Sequence, residues 1–220
     1  MMDELELLKK DWQKKELAHP KLSYNDIHGM LWKKSSSIVK WIFIISVIEF
    51  VLPHVLYLFP SAWSEGRSLY NSLGLKTPML ILTVIQYSVI FYFIYQFYKR
   101  YKEISVLDNA KNLMANIIRT RKTVKHYIVF SLALIVVLFI VIVTGIYLSP
   151  DFVHTLEVSG KNIDNISPEK LHNIKFISMF MVVGVGVILT VAIGFVYFLL
   201  YGILLKRLNR NYRELKKLEI

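Results

Sequence analysis

The sequence predicts an all-α integral membrane protein: a transmembrane four-helix bundle with short amphipathic helices on its cytoplasmic side. Three observations carry that expectation. Four apolar runs are each long enough to cross a bilayer, lysine and arginine crowd onto alternate connections, and the polar segments keep helical periodicity. Hydrophobic residues make up 55% of the 220-residue chain and the mean hydropathy is +0.45, too apolar for a small soluble domain.

The chain opens with a polar segment, residues 1–40, expected as a cytoplasmic helical unit. Residues 3–18 place Leu5, Leu8 and Trp12 at helical spacing, with early acids that suit the helix dipole. His19-Pro20 ends that helix. Ser23 followed by Asp26 is an acidic variant of the capping box and starts a second helix. Its stripe is Tyr24, Ile27, Met30 and Leu31, and the helix is expected to run through Lys33-Lys34-Ser35-Ser36-Ser37 into the first span. No cleavable signal with its short apolar core is expected in this polar stretch.

Residues 41–205 form the transmembrane domain, with spans expected at 41–59, 79–97, 127–148 and 176–205. About 20 apolar residues suffice for a bilayer. The fourth run holds 30 residues without a charge, so it must tilt or extend beyond the membrane. Continuous runs of this kind are not the alternating strands of a β-barrel. Within the connection 99–126, Ser105 and Asp108 read as a cap. Val106, Leu107, Ala110, Leu113, Met114, Ile117 and Ile118 follow on one face. On the other side, Ser167-Pro168-Glu169 reads as N-cap, N1 proline and dipole-complementing acid, so the fourth helix should begin near Pro168. The tail 206–220 continues it, with Leu205, Leu208, Tyr212 and Leu215 at coiled-coil spacing.

Charge sets the orientation. The N-terminal 40 residues, the 99–126 connection and the tail carry eight, eight and six Lys or Arg, against two and three in 60–78 and 149–175. That division, 22 against 5, predicts both termini in the cytoplasm of a bacterial inner-membrane protein. It also accounts for the net charge of +11 and the pI near 9.6 with the lipid bilayer as partner and no nucleic acid. Tyr and Phe (13 each) and four Trp gather at span ends, among them Trp32, Trp41, Tyr98, Tyr101, Tyr127 and Tyr147, as an aromatic belt.

Glu49 is the candidate intramembrane polar residue, near the middle of the first span, with Pro53 and His54 one turn on. A midplane charge costs at least about 2.5 kcal/mol, so such a residue faces the bundle interior. The structural expectation is a protonated Glu49 bonded to Thr83, Gln86, Tyr87 or Ser88 of the second span. The functional alternative is a proton-linked or ligand-binding carboxylate. Gly186, Thr190 and Gly194 form a small-xxx-small row for helix packing, within the bundle or between copies of a homo-oligomer.

No catalytic or cofactor motif is present, and no enzyme activity or cofactor is expected. Gly184-Val185-Gly186 lacks the third glycine of a dinucleotide loop, with Leu189 in its place. No pair among the six histidines shows the i, i+4 spacing of a helical metal site, and there is no cysteine for disulfides, thiolate metal sites or lipid attachment.

The opening DELELLKKDWQKKE, Leu22-Ser23-Tyr24 and Lys33 to Lys40 resemble a family of uncharacterised bacterial four-span membrane proteins. That resemblance implies an anti-sigma-like role with a sigma factor as cytoplasmic partner. Some relatives are labelled carotenoid-cleaving oxygenases, but four iron-binding histidines in a β-propeller have no counterpart here. The expected function is therefore a non-enzymatic regulatory anchor whose cytoplasmic helices bind a soluble protein through Leu5, Leu8, Trp12, Tyr24, Ile27 and Leu31. A small transporter or channel around Glu49 and an accessory subunit of a membrane complex are the alternatives.

Overall fold

A computed structural model describes residues 23–56, 59, 61–105, 109–150, 152, 155 and 168–218. The described residues form helices α1 (Tyr24–Leu56), α2 (Ser61–Ser72), α3 (Lys76–Ser105), α4 (Ala110–Leu148) and α5 (Pro168–Tyr197). After a π turn at Phe198–Gly202 the fourth rod continues as α6 (Ile203–Leu218). Four of the resulting rods are long and apolar enough to cross a membrane, judged by length and composition. Leu5, Leu8 and Trp12 lie outside the described residues.

Helix starts follow local chemistry. Ser23 Oγ donates to Asp26 Oδ2 at 2.7 Å, Ser23 N–H donates to the same oxygen at 3.0 Å, and Asp26 N–H donates to Ser23 Oγ at 3.2 Å. This is the reciprocal capping box expected there. The two Ser23 donors hold the Asp26 carboxyl below the usual carboxylate range. Helix α4 starts differently from expectation. Ser105 closes α3, and Asn109 is the N-cap, its side chain accepting from Lys111 N–H at 3.0 Å. Helix α5 begins at Pro168 as expected.

Helix α2, on the far connection, has no counterpart among the expected elements. It ends on Gly74, whose φ of 68° is left-handed. Leu75 N–H donates to Tyr70 O and Gly74 N–H to Asn71 O, the paired bonds of a Schellman cap that glycine makes without steric cost.

On the described basic side the apolar helices run on as helix, as expected for α1 and for the tail after the fourth span. In the 99–126 connection, where the sequence predicts a separate capped helix, α4 instead runs without interruption from Ala110 into the third span. Helix α1 carries Lys33 to Ser37 as plain helix into the apolar segment. The described residues of the 99–126 connection are the end of α3, Asn109 and the beginning of α4; Val106, Leu107 and Asp108 lie outside the described residues.

These extensions form the sealed part of the molecule. Helix α1 packs on α3 and α6, and α4 packs on α3 and α6, closing a four-helix bundle on the basic side. Val39, Ile42, Phe97, Ile104, Leu113, Ile117, Val124, Leu208 and Leu215 are completely buried in it. The apolar layer is arranged as a row instead, with α1 on α3, α3 on α4 and α4 on α5. Helix α1 meets the fourth rod mainly through α6 and not α5. The two rods therefore diverge above the bundle, and most large side chains of α5, such as Phe180, Ile188 and Val191, point outward.

Trp32 and Tyr127 depart from the expected aromatic belt. Trp32 packs against the core and its Nε1 donates to Ile104 O at 2.7 Å, satisfying a carbonyl left open at the end of α3. Tyr127 is buried at 6% exposure. Trp41, Tyr98 and Tyr147 stay exposed, as belt residues should.

Candidate functional site

The polar feature of this structure stands where α1 and the fourth rod part. Glu49 Oε2 accepts two hydrogen bonds, from Tyr127 Oη at 2.5 Å and from Tyr201 Oη at 3.1 Å. One carboxylate oxygen thus ties α1, α4 and the π turn together. The other oxygen, Oε1, is buried and has no hydrogen-bond partner. No lysine or arginine among the described residues pairs with Glu49.

The surroundings are aromatic. Phe93 and Phe97 of α3 lie 5.3 and 5.6 Å from the Tyr127 ring, both edge-on. Tyr197 joins the same group with its ring tilted, 6.1 Å from Tyr127 and 5.8 Å from Tyr201. Tyr201 is completely buried. It sits in the π turn, whose extra residue per turn widens the helix, a feature that recurs at functional sites.

Two expectations about Glu49 change. Its partners come from the third and fourth rods, not the second. Thr83 and Ser88 bond to their own helix, at Met79 O and Val84 O, Gln86 is exposed, and α3 presents phenylalanines at this level. Its depth changes too. Glu49 is level with Tyr127, at the beginning of the third apolar run. Gly145, on which Leu75 packs, is 18 residues further along α4, about 27 Å at 1.5 Å per residue. Glu49 therefore stands near the basic-side end of the apolar layer. The axial shift between rods, invisible in a single apolar window, accounts for the difference.

His54 is separate from Glu49. Its Nδ1 lies 2.6 Å from Phe50 O and its Nε2 3.0 Å from Tyr87 Oη, with Phe50 packed on both rings. It links α1 to α3, so Tyr87, a predicted partner for Glu49, serves His54.

The small-residue row packs inside the molecule, against α4. A Cβ on Gly186 would stand 2.7 Å from Phe139 Cγ, whereas one on Gly194 would meet Leu132 at 3.8 Å. Thr190 Oγ1 donates to Gly186 O at 2.7 Å, and Thr144 Oγ1 to Ile140 O at 2.8 Å. With both hydroxyls so used, the open groove of about 340 Å³ between α4 and α5 is apolar. Gly184 faces open space.

Of the three described residues of the proposed partner stripe, Ile27 and Leu31 pack within the protein itself. Leu31 is 3% exposed and Ile27 packs on the same core. Tyr24 remains exposed, its ring stacked on His28 at 6.3 Å. Sequence reasoning missed Tyr127 and Tyr201 as partners of Glu49. The i, i+4 tyrosines 197 and 201 were the available signal, but nothing local connects them to α1.

The architecture and site define an all-helical protein with four membrane-length rods and a carboxylate–tyrosine cluster at the base of their apolar part. The chain belongs to the family described as Domain of unknown function (DUF8845), whose model matches residues 25–220. It matches no curated protein and no solved structure.

Proposed function

We propose that this is a non-enzymatic integral membrane protein with its basic side and both termini in the cytoplasm, acting as a regulatory anchor. The observation that carries this reading is continuity. Helices α1, α3 and α4 pass unbroken from the apolar layer into the sealed basic-side bundle, and the fourth rod enters it through the π turn, so a displacement in the apolar layer is carried to the bundle along three continuous helices. The distribution of lysine and arginine supports the orientation.

Ile27 and Leu31 are occupied within the bundle, so a cytoplasmic partner would bind the outer face of α1, at Tyr24 and Met30, together with residues 1–22. A sigma factor is the partner that the family resemblance implies. Reporter fusions at Lys10, Lys111 and Lys217 should report cytoplasm, and fusions at Glu65 and Asn162 the opposite side. Affinity capture with the full chain should lose a specific partner on Trp12→Ala or Tyr24→Ala while the bundle stays folded. Inverted topology, or capture unaffected by both substitutions, rules this reading out.

One observation favours a second reading, proton-linked transport organised around Glu49: its buried, unpartnered Oε1. Proteoliposomes would then show a proton flux that Glu49→Gln abolishes.

A further inference from the structure

Glu49 joins α1, α4 and the fourth rod by side-chain hydrogen bonds just before α1 and α5 diverge. Its two oxygens are unequal. Oε2 is saturated by the hydroxyls of Tyr127 and Tyr201, while Oε1 is buried without a donor or an acceptor. We propose that Oε1 is a proton-binding site and that its occupancy sets how far α1 and α5 spread apart. This inference is independent of any cytoplasmic partner.

The groups facing Glu49 from each packed element are few. Helix α4 contributes Tyr127, the fourth rod contributes Tyr197 and Tyr201, and α3 contributes the uncharged Phe93 and Phe97 against the Tyr127 ring. On α1 itself, His54 is five residues away and engaged with Tyr87 and Phe50 O. Neither ion pair described, Arg100 with Glu103 and Arg210 with Glu214, involves Glu49.

The consequence is electrostatic. With a proton on Oε1 the carboxyl is neutral, and its carbonyl oxygen, Oε2, still accepts both tyrosines. The three elements are then clasped without a net charge in apolar surroundings. When the proton leaves, a full negative charge remains with only two hydroxyl donors. A charge so placed recruits water or moves toward it. The direction of least resistance is the space between α1 and α5, which share little packing. The π turn is the second soft element, since it carries Tyr201 and its wide backbone accommodates a shift better than a continuous α-helix. Deprotonation therefore opens the fork, and proton uptake closes it.

The absence of cysteine makes the test direct. Val55→Cys and Phe195→Cys, both at exposed positions near the fork, carry a spin-label pair in protein reconstituted into nanodiscs. Distances are measured across about pH 4 to 9, alongside the infrared carboxyl band of the same samples. The expected result is a label distance that lengthens as the band disappears with rising pH. In Glu49→Gln the band is missing and the distance stays short at every pH. In Tyr201→Phe the band and the distance move to a new common midpoint, while Tyr95→Phe, at an exposed site, changes neither. A wild-type distance independent of pH overturns the proposal. So does the same pH dependence in Glu49→Gln. Should that variant fail to fold, separate midpoints for band and distance in Tyr201→Phe overturn it equally.

Discussion

Asn211 of α6 donates its side-chain amide to the hydroxyl of Ser35 on α1 at 3.1 Å, with both residues buried at 2% and 0% exposure. Two other polar side chains, Thr120 and Asn116 of α4, are buried in the same bundle, and Thr120 Oγ1 donates to Asn116 O at 2.8 Å. A polar pair amid Leu208, Leu215 and Ile117 is satisfied in one pairing of rods, and a slipped register strands it. It therefore specifies register at some expense of stability.

Asn211→Leu should leave Ser35 without its donor and place a bulkier side chain at a filled position. We expect destabilisation of about 1–3 kcal/mol. The double variant Asn211→Leu with Ser35→Ala should recover part of it, because the stranded hydroxyl is gone. Thermal unfolding in detergent of the two singles and the double forms a cycle that reads the coupling. Strictly additive losses would show that the pair contributes nothing to the bundle.

Leu31 and Met30 are neighbours with opposite fates, at 3% and 40% exposure. Leu31→Ala should lower stability by about 2–5 kcal/mol through a cavity in the sealed bundle. Met30→Ala should stay within about 0.5 kcal/mol. The same unfolding assay separates them, and equal effects would mean that α1 lies differently on the bundle.

Gly186 and Gly194 should respond unequally. At Gly186 an added Cβ meets the Phe139 ring carbon at 2.7 Å, so Gly186→Ala should cost about 1–3 kcal/mol through overpacking. At Gly194 the nearest atom is 3.8 Å away, so Gly194→Ala should be neutral or gain up to about 1 kcal/mol from helix propensity. Melting temperatures of the two variants in one detergent decide the matter.

The capping box at Ser23 and Asp26 should be sensitive to acid. Because the Asp26 carboxyl titrates below its unfolded value, its contribution is complete above the ordinary aspartate value of about 3.9. It is lost as pH falls through the lower, folded value. Amide hydrogen exchange at Asp26, whose N–H is bonded to Ser23 Oγ, should lose protection over that acid range. Asp26→Ala should show the loss at neutral pH as well.

What the sequence determined by itself is local. The four rods, the start at Ser23 with Asp26 and the start at Pro168 follow from apolar run length and cap chemistry. Both are properties of adjacent residues. The buried stripe through Leu208 and Leu215 was legible for the same reason, since a 3.6-residue period marks an inward face without naming what it meets. Tertiary structure decided the rest. Whether Glu49 meets Thr83 or Tyr127, whether Leu31 serves a partner or its own bundle, and whether Tyr127 anchors a helix end or binds a carboxylate depend on the rotation and axial offset of whole rods. A single rod is equally helical at any rotation. Only the joint packing of all four, closed on the basic side and parted above Tyr201, fixes which side chains meet.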